Sequence, residues 1–253
     1  MRDGRVRFEV CVDGTEGVLA AQAAGADRVE LCAALSEGGL TPSAGAVATA
    51  LDVATVDVHV LVRPRGGDFV YDRHEIRAMC RDVEAVAAAG ARGVVIGALT
   101  PDGDVDTATC RRLVAAAAGL SVTFHRAFDM ARRPHEALAA VADLGVDRLL
   151  TSGQEATALA GAALIAELVA AAGDRLTVMP GAGVTAGNVR RLLDLTGARE
   201  VHFTARATVD SPARHRNPRV TMGGGTTGEY ARRRTSRAAI EALIAAAHRD
   251  APA

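Results

Sequence analysis

The sequence predicts an α/β fold, a parallel (β/α)8 or TIM barrel, on three observations. Eight short apolar runs alternate with eight Ala/Leu/Arg segments of helical spacing. The chain has 253 residues, a length typical of one such barrel. Several helical segments end at glycine just before the next apolar run, as in "AAGADRVE", "AAGARGVV" and "DLGVDRLL", where glycine accepts the left-handed cap without a Cβ penalty.

The strands are expected at 6–12, 27–32, 56–62, 93–99, 121–128, 147–153, 176–183 and 200–206. The helices are expected at 15–24, 43–54, 72–89, 106–118, 134–144, 157–172, 185–196 and 235–248. No linker divides the chain, so 1–253 reads as one barrel domain. An open doubly wound sheet is the alternative, but no Gly-x-Gly-x-x-Gly follows the first strand. The segment 207–234 reads as a long irregular loop after the last strand, on the face where barrels carry their sites.

Composition narrows the function. Formal net charge is −1, which gives no reason to expect nucleic acid or an anionic membrane as partner. No apolar run is long enough to span a bilayer and the N-terminus lacks a signal-peptide core, so a cytoplasmic protein is expected. The four cysteines, Cys11, Cys32, Cys80 and Cys110, form no CxxC pair and should be thiols in a reducing compartment. All 29 basic residues are arginine. Without a lysine amine, Schiff-base aldolase and pyridoxal-phosphate chemistry are excluded.

Strand alternation then sorts side chains by face. Glu9, Cys11 and Asp13 share one face of the first strand, and Glu30 with Cys32 one face of the second. His59, Arg63, Thr123, His125, Glu200, His202, Thr204 and Arg206 likewise oppose valine-rich faces. The apolar faces must meet helices, so the polar ones point into the barrel. Buried charges must be paired, and Arg63 and Arg206 are the expected counterions of Glu9, Glu30 and Glu200. One reading is a saturated ion-pair network that sets register. The other is a site for a small polar ligand. The loops favour the second. "RPRGGDF" (63–69) brings Arg63 and Arg65 beside Gly66 and Gly67, and "PGAGV" (180–184) brings Gly181 and Gly183 to a helix start. Arg63, Arg65, Arg206, Gly181 and Gly183 are thus candidate anion-binding residues. Glu9, Glu30, His125 and His202 are candidate acid–base catalysts.

Taken together, "FEVCVD", "GADRVELCAALSEGGLTPS", "RPRGGDF", "GALTPDGDVD", "TFHRAFDM", "LTSGQ" and "PGAGV" resemble the CutC family, linked by name to copper homeostasis; "ARHRN" (213–217) resembles its C-terminal segment. The resemblance implies a (β/α)8 barrel. It also implies a copper role, for which Cys11 and Cys32 are the candidate Cu(I) ligands. The two lie on adjacent strands about 4.8 Å apart, and soft thiolates select Cu(I). Phe203 and Thr204 stand where some members carry Cys or Ser after the strand-8 histidine, so no thiol ligand is expected there. Two functions therefore stay open: Cu(I) binding, or an enzyme (lyase, isomerase or hydrolase) acting on a small anionic or phosphorylated metabolite. The partner is a small anion or a copper ion, and assembly of identical subunits is left open.

Overall fold

Each expected strand forms, and every one of the eight runs parallel to its neighbours. The computed structural model describes residues 5–220, 222 and 228–248. Its strands are β1 (Arg7–Val12), β2 (Arg28–Leu31), β3 (Asp57–Leu61), β4 (Gly93–Ile96), β5 (Ser121–Phe124), β6 (Arg148–Thr151), β7 (Thr177–Pro180) and β8 (Glu200–Phe203). They form one sheet in the order β7-β6-β5-β4-β3-β2-β1-β8. The helices α1 (Thr15–Ala23), α2 (Ala44–Val53), α3 (Arg73–Ala88), α4 (Thr107–Ala116), α5 (Pro134–Asp143), α6 (Ala162–Ala172), α7 (Val189–Thr196) and α8 (Arg237–His248) follow the strands in turn. No helix among the described residues is long and apolar enough to cross a membrane.

Local chemistry sets the boundaries. Asp72 caps α3, accepting from the His74 and Glu75 amides while Glu75 accepts from the Asp72 amide. That reciprocal box is worth about 1 kcal/mol. Pro134 opens α5, where a missing N–H costs nothing.

Two apolar clusters result from the alternation of faces. The larger lies between sheet and helices and takes Phe8, Val10, Val29, Val58, Val60, Val201 and Phe203 from the strands. The smaller is Cys11, Cys32, Leu61 and Val95, inside the barrel. Room for two buried imidazoles comes from β4 and the residues just beyond it. Gly93 underlies the ring of His59 and Gly97 that of His125; a Cβ on either would fall within 2.6 Å of the ring.

Three details qualify the expected barrel, and the second and third are corrections. The ladder is not closed between β7 and β8. The Thr177 and Gly181 amides donate to Asp147 and Thr151, toward β6. By alternation, Val178 and Pro180 face β8, and proline has no N–H to give. Second, the segment 207–234 is not wholly irregular. β9 (Arg206–Asp210) and β10 (Ala231–Thr235) pair antiparallel as an exposed hairpin, with Ala207 opposite Arg234. Residues 221 and 223–227 of that segment lie outside the described residues. Third, the counterions of the inner carboxylates are Arg28 and Arg148, not Arg63 and Arg206. Arg28 pairs with Glu9 and, at 2.7 Å, with Glu200; Arg148 reaches Glu200 at 2.8 Å.

Candidate active site

The arginine layer at the N-terminal end of the strands is the floor of the site. Because Arg28 holds Glu9 from below, Glu9 stays ionised although it is fully enclosed. Burial opposes its charge, but Arg28 and His202 outweigh burial and hold its carboxyl below the usual range. On its other side Glu9 Oε1 lies 2.7 Å from His202 Nδ1. His202 in turn stands 3.9 Å from Glu30 Oε2. Burial disfavours the imidazolium, yet Glu30 and Glu9 together raise its pKa above the ordinary value.

Glu30 is the unusual member. Its Oε1 accepts from the Cys11 thiol at 3.7 Å, while its Oε2 is buried with no hydrogen-bond partner. Burial foremost, with the Glu9 charge adding to it, pushes its pKa up to about 7. A carboxyl so placed exchanges a proton near neutrality. Cys11 and Cys32 bring their sulfurs to 3.6 Å, and Cys32 also donates to the Val12 carbonyl. The hydrogen bond to Cys32, burial and the Glu30 charge all push the Cys11 thiol well up.

His125 closes the opposite wall. Its Nδ1 accepts the Ala127 amide at 3.1 Å, so the proton of the neutral ring sits on Nε2. That Nε2–H is buried and unpartnered. Burial first, then the Arg63 charge, push the ring's pKa down to about 3, which keeps it a neutral donor. Phe69 packs against the ring at a centroid distance of 5.1 Å.

These groups surround a cavity of about 390 Å³ at the C-terminal mouth, where Cys11, Glu30, Arg63, His125, Arg126 and His202 meet Phe69 and the 182–185 turn. Of the sequence-derived candidates, Glu30, His125, His202, Cys11, Arg63 and Gly183 line it. Glu9 supports His202 from beneath and Cys32 supports Cys11. Arg63 lines the mouth but donates to the carbonyls of Glu37, Gly39 and Gly67, at 2.7, 3.0 and 2.9 Å, clasping the loops after β2 and β3. Gly181 packs against Leu150 and His202. Arg65 is drawn away, to Glu75 at 2.6 Å and Asp68 at 3.0 Å. Arg206 stands 3.6 Å from Asp13. Neither Arg65 nor Arg206 is brought to the cavity wall.

Sequence reasoning missed Arg28, Arg148, Arg126 and Asp129. The first two were readable: Arg28 has the parity of Glu30, and "DRVEL" is echoed by "DRLL" at 147–150. Arg126 and Asp129 sit on a short 3-10 turn, where period-two parity says nothing. Asp129 accepts from Thr151 at 2.5 Å, from the Ser152 amide at 3.0 Å and from Arg126 at 2.7 Å, and so fixes Arg126 on the rim.

The donor set bears on metal binding. Cys11, Glu30 and His202 offer ligand atoms all within 4.8 Å of one another. A sulfur, an oxygen and a nitrogen suit a borderline divalent ion better than Cu(I), which prefers thiolate pairs.

Comparison with known proteins agrees with this architecture. A CutC family protein of Mesorhizobium japonicum is 51% identical over 241 residues, covering 95% of this chain and 93% of its own. One from Chromobacterium violaceum is 51% identical over 236 residues, covering 93% and 96%. The crystal structure of a candidate copper homeostasis protein CutC from Streptococcus agalactiae superposes with a TM-score of 0.75 at 32% identity, over 78% of this chain and 98% of that one. A phosphoribosylanthranilate isomerase of Thermotoga maritima, at 14% identity and a TM-score of 0.56, shares the fold. Residues 6–207 match the profile of the CutC family, and with relatives about half identical along nearly their whole length, this chain belongs to that family.

Proposed function

We propose that this CutC family protein is an acid–base enzyme, a lysine-independent isomerase or lyase acting on a small anionic metabolite in the barrel mouth. One observation carries the reading: Glu30 Oε2 and His125 Nε2, two buried polar atoms without a hydrogen-bond partner, belong to side chains lining the same cavity. Leaving such atoms unsatisfied costs about 1–3 kcal/mol each, a cost that a ligand oxygen and an acidic hydrogen would remove. In this reading the Glu30 carboxylate takes a proton from carbon beside a carbonyl or hydroxyl group. The His125 Nε2–H donates to the oxygen on which charge develops. The His202 imidazolium, held by Glu9, returns a proton, and Arg126 attracts the anionic tail from the rim.

Proton exchange at carbon reports the Glu30 step whatever the final product. Hydroxy acids, keto acids and sugar phosphates are incubated with the protein in D2O, and loss of carbon-bound proton signals is followed by NMR. At least one compound should exchange, and Glu30→Gln should abolish that exchange. Exchange that survives in Glu30→Gln, or none across the panel, counts against the proposal.

A second reading, Cu(I) binding, is favoured by the 3.6 Å approach of the Cys11 and Cys32 sulfurs and by the name of the Streptococcus agalactiae relative. Under it the reduced protein takes about one Cu(I) per chain, as two soft ligands suit one linear ion. Cys11→Ser and Cys32→Ser each abolish binding, whereas Cys80→Ser and Cys110→Ser, in α3 and α4, do not.

A further inference from the structure

A second cavity, of about 490 Å³, opens at the other end of the barrel, beneath the arginine floor. Five arginines line it: Arg5 and Arg7 from the first segment, Arg28 from β2, Arg92 from just before β4 and Arg148 from β6. Two carboxylates share the wall. Asp27 binds Arg5 at 2.7 Å, and Asp57 stands 3.5 Å from Arg92. Glu9 and Glu200, behind the wall, hold Arg28 and Arg148. Among the described residues this leaves Arg7 without a carboxylate, so the cavity carries one positive charge in excess.

His59 also lines it. The residue is 2% exposed, and its Nδ1 is buried with no hydrogen-bond partner. The opposite face of a barrel usually carries stability rather than ligands. A layer kept for stability alone would be apolar or saturated. Among the described residues, this one encloses space, holds a cation with no carboxylate against it and leaves a buried ring nitrogen without a hydrogen bond.

We propose that this lower cavity binds a phosphate-bearing anion, at a site separate from the mouth. Guanidinium groups approach from four elements around the barrel. A planar carboxylate is satisfied by one fork, whereas a tetrahedral dianion accepts from several directions at once. The volume exceeds that of one phosphate group, and Ala91, Gly119 and Leu120 supply a small uncharged stretch beside it for an organic portion.

Calorimetric titration of the full chain tests this, with inorganic phosphate, pyrophosphate and glycerol phosphate as probes against sodium chloride at equal ionic strength. At least one phosphate probe should bind above the chloride control. The esterified and inorganic forms separate a site for an organic phosphate from one for the free ion. Arg7→Ala, which removes an exposed side chain, should weaken binding by about tenfold, as expected for one charge-assisted contact. Arg92→Ala should weaken it too, and Arg126→Ala, on the mouth, should leave it unchanged. Thermal unfolding without ligand checks that each variant is folded. The proposal is overturned if no phosphate probe binds beyond chloride, if Arg7→Ala and Arg92→Ala both bind like the parent, or if Arg126→Ala alone abolishes binding.

Discussion

The imidazole of His125 rests on Gly97, so closely that a Cβ there would lie 2.5 Å from the ring. Gly97 is therefore part of the site although it carries no functional group. Gly97→Ala should tilt His125 off the Ala127 amide and destabilise the fold by about 1–3 kcal/mol, the usual cost of overpacking. Urea unfolding gives the stability. The His125 ring resonances should move as well; a Gly97→Ala variant with the parent's midpoint and ring shifts would contradict the packing described.

Glu30 sets the pH response. Its folded pKa, about 7, lies above the ordinary 4.5. A carboxyl raised in this way contributes most to stability below 4.5 and loses that contribution as pH rises through 7. Glu30→Gln removes the titration. Relative to the parent, the variant should therefore gain about 1–3 kcal/mol between pH 5 and pH 8. The Glu30 and Glu9 charges also raise the pKa of His202 against its burial, so the difference between variant and parent is the quantity to read. Unfolding free energies at four pH values decide it, and parallel curves would mean that Glu30 ionises normally.

Arg28 is the hinge of the charge network. Arg28→Met leaves Glu9, buried at 1% exposure, without its guanidinium partner and with His202 alone beside it, and loss of one partner of a buried pair costs about 3–5 kcal/mol. Arg65→Met removes pairs on a half-open surface and should cost a small fraction of that. Thermal unfolding ranks the two. Equal losses would place the organising charge elsewhere.

That contrast shows how far the sequence could be read. Alternation assigned Glu9, Glu30, His125 and His202 to the lumen correctly, because period two is fixed by the strand backbone. It did not say how deep a side chain stands. Arg63 and Arg206 follow the strands at the upper end, where loop carbonyls and Asp13 claim them. Arg28 and Arg148 begin their strands at the lower end, level with Glu9 and Glu200 through the stagger of a tilted barrel. Height depends on register between strands, which parity within one strand does not contain. The hairpin of β9 and β10 was hidden for a related reason: its pairing joins residues more than twenty positions apart across a glycine-rich connection.

Copper binding, if it uses both inner thiols, must be strongly pH-dependent. Cys11 is protonated well above neutrality because Cys32, burial and Glu30 all disfavour its thiolate. Cu(I) held by two thiolates displaces two protons, so apparent affinity should rise by about a hundredfold per pH unit while both thiols remain protonated. Ligation by one sulfur gives about tenfold per unit. Competition against bicinchoninate at pH 6.5, 7.5 and 8.5 measures the slope. We expect weak binding at the lowest pH and a steep rise, lost in the Cys11→Ser/Cys32→Ser double variant and kept in Cys80→Ser/Cys110→Ser. A flat profile, or one unchanged in the double variant, would place the ion away from the Cys11–Cys32 pair and leave the mouth to its acid–base groups.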